Sequence, residues 1–253
     1  MFLMATRNRP DLCRGLIQSM QAVGDVPEDV AVMIDDNPLR YESIDWPKGW
    51  KIHHSEEHME LTAAMNYLYR AYPDRPWYGH FSDHYRPLTK WSRPLIEAAG
   101  DWFMAWPEDN YVSWYQVSSC PVWGGKLAKE MGFLFLPTTV HLATERVWLQ
   151  LWQQLNLGKC LQDVQCTHDM FETTGRPKDE NRKRMFRGKP YEPADGYAYY
   201  VWLARDCPGF IERIRQAMAA DGLQFDEKGW LAPIYGQTPP EFREGPPKPQ
   251  RVA

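Results

Sequence analysis

Carboxylates in this chain stand where apolar runs stop. Val30-Ala-Val-Met-Ile34 breaks off at Asp35-Asp36-Asn37-Pro38, and Trp77-Tyr-Gly-His-Phe81 runs into Ser82-Asp83-His84-Tyr85-Arg86-Pro87. Acids at the ends of buried strands can bind a ligand or help to hold a cation, although Asp36-Asn37-Pro38 is also ordinary turn chemistry. His54-Ser-Glu-Glu-His58 has the His-x-x-Glu-His spacing of an inverted zinc peptidase motif, which would use His54, Glu57 and His58. That chemistry needs both imidazoles on one helical face, whereas His54 closes a strand and Ser55 begins a helix. Between Arg176 and Lys189, seven basic residues face only Asp179 and Glu180. Such a stretch could close over a diphosphate, track a nucleic-acid backbone, or simply be solvated.

The elements that must position these groups alternate. Phe2–Thr6 is a short apolar strand followed by a helix that Asn8 can cap and Pro10 can open, with Leu12, Leu16, Met20 and Val23 on its apolar face. Val30–Ile34 is a second buried strand and Lys51–His54 a third. A helix from Ser55 carries Leu61, Ala64, Met65 and Leu68, and stops before Pro73. Trp77–Phe81 is the fourth strand, with a helix expected over Lys90–Ala99. This pattern predicts an α/β protein with a mainly parallel, Rossmann-like sheet and its ligands at the carboxyl ends of the strands. From Trp102 the apolar pieces shorten to Trp102–Trp106, Tyr111–Val117 and Phe133–Leu136, which predicts mixed additions to the sheet. Helices are expected near Gly124, over Val147–Leu155 and over Pro208–Ala220, and the Pro-rich tail reads as extended or disordered.

Met4-Ala-Thr-Arg-Asn-Arg-Pro10, followed about twenty-five residues later by Ile34-Asp35-Asp36, resembles the nucleotide-binding half of the large inverting GT-A glycosyltransferase family. The resemblance implies that Thr6, Arg7 and Arg9 line a nucleotide pocket and that Asp35 or Asp36 binds the base or ribose. Thr62-Ala-Ala-Met-Asn66 resembles the helix that brings a small face and an Asn to the nucleotide. Asp83, in Asp83-His-Tyr-Arg-Pro87, falls on the first acidic position of the family's DxD metal motif, but His84 and Tyr85 stand where further ligands are expected. Asp163-Val-Gln-Cys-Thr-His168 resembles the late strand that offers a His to the metal, so Asp83 and His168 are the expected ligands of Mn²⁺ or Mg²⁺. Glu145, in His141-Leu-Ala-Thr-Glu-Arg-Val-Trp148, matches the acid that faces the acceptor as general base; it could equally be a first-turn acid favoured by the helix dipole. Val122-Trp-Gly-Gly-Lys126 offers a turn where a sugar or phosphate could approach, or a plain strand-to-helix turn.

The resemblance thus implies a GT-A-type mixed sheet flanked by helices, with a core over 1–172 and an extension of basic loop, helix and Pro-rich tail over 173–253. It implies transfer of a sugar from a nucleotide-sugar donor to a hydroxyl acceptor, assisted by a divalent metal, with inversion. The acceptor could be a saccharide, a small molecule, a protein or a modified DNA base. A net charge of −4 gives no global attraction to nucleic acid, so DNA is not favoured. A GT-A-like binding protein without chemistry and the zinc peptidase are the rival readings. The apolar runs are too short to span a membrane, and five scattered cysteines without a CxxC pair fit reduced thiols in the cytoplasm. Twelve tryptophans read as core rings first and a ligand platform second.

Overall fold

A computed structural model describes residues 1–109, 120–141, 144–169, 191–227 and 231. Among the described residues eight strands form one sheet: β1 (Phe2–Thr6), β2 (Val30–Ile34), β3 (Lys51–His54), β4 (Trp77–His80), β5 (Tyr85–Pro87), β6 (Met104–Asp109), β7 (Val122–Gly124) and β8 (Gly158–His168). Their order is β3-β2-β1-β4-β7-β6-β8-β5. The first four are parallel, β7 runs antiparallel between β4 and β6, β8 lies parallel to β6, and β5 closes the edge antiparallel to β8. The helices are α1 (Pro10–Ala22), α2 (Leu61–Ala71), α3 (Ser92–Ala99), α4 (Gly125–Met131), α5 (Thr144–Leu155), α6 (Tyr191–Arg205) and α7 (Cys207–Ala220).

Strand side chains alternate between faces, and here both faces are buried, which is why the strands read as continuous apolar runs. Leu3, Ala31 and Met33 point into one core, which they share with residues of α2, α4, α5, α6 and α7; Phe2, Met4, Val30, Val32 and Ile34 point into the other, with residues of α1 and α3. The largest buried side chains are rings, led by Trp91, Trp106, Trp123, Trp148 and Trp152. The tryptophans in the described residues therefore serve mainly as core.

Local chemistry moved several elements from their expected places. Helix α2 begins at Leu61, not Ser55, because Ser55 turns its hydroxyl onto the Glu57 carbonyl and the backbone of Met59 is taken by Asp35. Asn8 is not a cap: Arg9 holds that position without a side-chain bond, and Asn8 sits in the left-handed region at φ 57°, which Asn tolerates. Phe133–Leu136 is a buried loop rather than a strand. Strand β5 and helix α6 were not expected. Tyr111–Val117, Arg176–Lys189 and the Pro-rich tail lie outside the described residues.

The Gly124-Gly125 turn sits where β7 meets the start of β4, with Gly124 paired to Trp77. This is the edge of the sheet opposite the carboxyl ends of β1 to β4, so the turn lies away from Asp35 and Asp83. A Cβ on Gly124 would stand 2.2 Å from the Asp101 backbone, and one on Gly125 would stand 2.1 Å from the Arg75 carbonyl. Gly125→Ala is accordingly expected to cost about 3 kcal/mol in urea unfolding through overpacking; an unchanged midpoint would show that the turn can relax.

His80 ends β4 fully enclosed, its Nδ1 on the Leu3 carbonyl at 3.3 Å and its ring edge-on to Phe135. Burial pushes its pKa down to about 4. Between pH 4 and 6.5 the unfolded chain therefore binds a proton that the folded chain refuses, so stability falls as pH drops through this window. The span corresponds to about 3 kcal/mol for one such group. Urea midpoints measured from pH 7 to 4.5 should fall steeply in the wild type and less steeply in His80→Gln; equal slopes would rule His80 out as the source.

Candidate functional site

The carboxyl ends of β1, β2 and β4 converge on Asp83. Thr6, the last residue of β1, donates its hydroxyl to Asp83 Oδ2 at 2.8 Å, Arg9 Nη1 reaches Oδ1 at 3.3 Å, and His84 Nδ1 lies 3.1 Å from the same oxygen. Behind Thr6, the Cys13 thiol donates to its hydroxyl and Tyr41 packs its phenol against it, while the backbone N–H of Arg9 donates to that phenol. Burial works against the charge on Asp83, but the Arg9 guanidinium, with His84 and Thr6, outweighs it and holds the carboxyl at about 2. Asp83 is thus an anion at any working pH. Burial drives His84 the other way, down to about 4, so it is a neutral imidazole. Arg86 pins the turn by donating to the Asp83 and Tyr85 carbonyls and pairing with Asp169 at 3.1 Å.

Asp35 and Asp36 leave β2 in different directions. Asp35 accepts from the Met59 backbone at 2.6 Å and pairs with His58 Nδ1 at 2.7 Å, while His58 in turn meets Arg7 and Glu60. Asp36 accepts from the Asn8 backbone at 3.1 Å and from Arg40 at 3.2 Å. The first fastens the β3–α2 segment to the strand end and the second fastens the β1–α1 loop. Thr6, Arg7, Arg9, Asp35, Asp36 and Asp83 are therefore linked around one strand edge. His58 belongs to this set, and its presence off any helix removes the geometry that a His54, Glu57 and His58 zinc site would need.

Asn66 is placed elsewhere. Its amide nitrogen donates to the Phe135 carbonyl at 2.7 Å and its oxygen accepts from the Leu134 and Phe135 backbones. In this structure it clamps the buried 133–136 loop, with its oxygen and one of its two amide hydrogens on that backbone. Asn66→Ala should cost about 2–3 kcal/mol by leaving those backbone groups unsatisfied. A wild-type urea midpoint in that variant would contradict the clamp.

Glu145 lies exposed in the first turn of α5. The chain leading to it is held by Asp195, a fully buried acid on α6 that accepts from the backbones of Val140 and His141 at 2.7 and 2.9 Å. Sequence reasoning missed Asp195 because α6 itself was not recognised.

His168, at the end of β8, faces Asp109, with Nε2 and Oδ2 3.5 Å apart, and its ring lies 5.2 Å from that of His84. Asp83 and His168 are thus second neighbours with His84 adjoining both. Asp83 already carries Thr6, Arg9 and His84, whereas His168 shares a group of potential ligand atoms with Asp109 and Cys166. A divalent cation therefore fits the His168 side of the site better than the Asp83 side. Asp109 was also missed, although Trp106-Pro-Glu-Asp109 repeats the signal of an apolar run ending in acids. Pro107 masked it: proline is uncommon inside strands, and here it is accommodated by a shift of register between Pro107 and Glu108.

No protein-family model and no curated protein matches the chain. Among solved structures it is similar to GalNAc-T7 with UDP, GalNAc and Mn²⁺, at a TM-score of 0.53 and 10% identity over 66% of this chain and 43% of that one. It is similar also to S. aureus TarS, at 0.52 and 12% over 66% and 36%, and to TarS 1–349 in complex with UDP-GlcNAc, at 0.50 and 13% over 74% and 64%. The chain spans less than two thirds of the length of each of these proteins. At such identities the likeness speaks for architecture alone, and that architecture is the mixed, helix-flanked sheet described above: the chain has the GT-A fold.

Proposed function

We propose that this protein is a glycosyltransferase that moves a sugar from a nucleotide-sugar donor to a hydroxyl acceptor, with inversion and with the help of a divalent cation. The observation that carries the reading is the linked set at the carboxyl edge of β1, β2 and β4, where Thr6, Arg9 and Asp83 meet beside Asp35 and His58. In an open α/β sheet this edge is where ligands bind. GalNAc-T7 and TarS, which share the fold, were crystallised with UDP and Mn²⁺ and with UDP-GlcNAc.

In this reading Asp35 receives the base or ribose, and its latch to His58 and Met59 holds the carboxylate in place before the donor arrives. Arg7 and Arg9 face the diphosphate, the anionic Asp83 fixing the Arg9 guanidinium. A divalent cation, when bound near His168, would neutralise charge that develops on the departing diphosphate. Glu145, at the mouth of α5, takes the proton from the acceptor hydroxyl as its oxygen attacks the anomeric carbon, on the face away from the leaving group. Residues 1–172 form the catalytic core and 173–253 the extension. The acceptor is a saccharide, a small molecule, a protein or a modified DNA base. No helix among the described residues is long and apolar enough to cross a membrane, and five buried cysteines, none in a disulfide, suit the cytoplasm.

The test is release of nucleoside diphosphate when the purified chain is given UDP-, GDP- and dTDP-sugars with Mn²⁺, Mg²⁺ or Zn²⁺ and a mixture of sugar acceptors. Turnover of one donor that stops on chelation is expected. Donor binding without transfer or hydrolysis would favour a GT-A-like binding protein instead.

A further inference from the structure

The ends of β6 and β8 lie side by side, and their register sets Asp109 opposite Cys166. Residues two apart on a strand share a face, so Cys166 and His168 point the same way, while β5 places Tyr85 opposite His168. A carboxylate oxygen, a sulfur and an imidazole nitrogen are thereby collected with all ligand atoms within 4.8 Å of one another. Asp109, Cys166 and His168 are 3%, 0% and 1% exposed, so the three donors meet inside the protein, away from bulk water. The 3.5 Å between Asp109 Oδ2 and His168 Nε2 exceeds a charge-assisted hydrogen bond of about 2.7–2.9 Å. It matches the roughly 3.3–3.7 Å that separates two donors on one tetrahedral ion with bonds of about 2.0–2.3 Å.

We propose that Asp109, Cys166 and His168 form a binding site for a borderline-soft divalent cation of the zinc and cobalt class. A thiolate ligand disfavours Mg²⁺, so the proposal replaces the expectation of a hard cation held by Asp83 and His168. Three protein donors leave a fourth position open, as in catalytic rather than structural zinc sites. Only the occupant of that position, a diphosphate oxygen, rests on the glycosyltransferase reading. Uptake exchanges the Cys166 thiol proton for a metal–sulfur bond and releases that proton to solvent. The alternative is a plain buried Asp–His pair with the thiol as packing.

The purified chain, stripped with a chelator, is titrated with Co²⁺ and followed by absorption. A near-ultraviolet thiolate-to-cobalt band is expected, saturating at about one equivalent, lost in Cys166→Ser and kept in Asp83→Ala, with cobalt affinity at least about ten-fold weaker in Asp109→Asn and His168→Gln. Absence of the band in the wild type, its persistence in Cys166→Ser, or its loss in a folded Asp83→Ala would overturn the proposal. Should Cys166→Ser fail to fold, since Cys166 packs on Tyr85, unchanged cobalt affinity in Asp109→Asn would overturn it equally. Nucleotide binding is measured on the same samples. A cobalt band without nucleotide binding removes the donor reading and leaves the metal site, and nucleotide binding without the band does the reverse.

Discussion

Replacing Asp83 by Ala is expected to lower donor turnover by about a thousand-fold or more, a loss of roughly 4 kcal/mol of transition-state stabilisation. Asp83 is the point at which β1 and β4 are joined chemically: Thr6, Arg9 and His84 all end on its two oxygens. Without the carboxylate, Arg9 loses the anion that aims it, and the Thr6 hydroxyl loses its acceptor. Part of the damage will fall on stability, because breaking a buried ion pair by removing one partner costs about 3–5 kcal/mol. Asp83→Asn, which keeps the size and an acceptor for Thr6, separates the two effects: it should fold, and still turn over the donor far more slowly. Turnover like that of the wild type in either variant would remove Asp83 from the mechanism.

The second large effect is expected at Glu145. Glu145→Gln should slow transfer by about a hundred- to ten-thousand-fold, the range of a lost general base, while donor affinity stays as in the wild type. The side chain stands in the first turn of α5, the segment before it is fixed by Asp195, and Gln keeps its size, so the substitution removes the charge rather than the shape. Calorimetry with donor alone and a transfer assay with acceptor check the two halves. Weakened donor binding as the sole defect would count against Glu145 as the base.

The strands that build the donor edge were legible because they are buried on both faces and end abruptly in polar residues. Val30–Ile34 ends at Asp35 in the structure as in the sequence, and Phe2–Thr6 delivers Thr6 to Asp83 across 77 positions. What sequence could not supply was the partner of each polar group. Ser55 and Glu57 have the chemistry of a helix start, yet Asp35 captures the segment first and α2 starts later. Asn66 stands on a helix beside small residues, and its use depends on a loop almost seventy positions away. Asp109 and Cys166 are 57 positions apart in sequence, and only the parallel register of β6 and β8 brings them opposite each other. Long-range pairing, which local periodicity does not encode, separates the readable parts from the others.

The most direct test of the central claim is calorimetric titration of the purified chain with UDP, GDP and dTDP and their sugars, in buffer with Mn²⁺ and in buffer with Zn²⁺. One nucleotide family should bind at one site per chain, and Asp35→Ala should weaken that binding by about ten-fold or more, as expected for a lost buried hydrogen bond to a charged acceptor. Heat of dilution alone with every nucleotide, in both metals, would contradict the assignment of this strand edge as a nucleotide-sugar site.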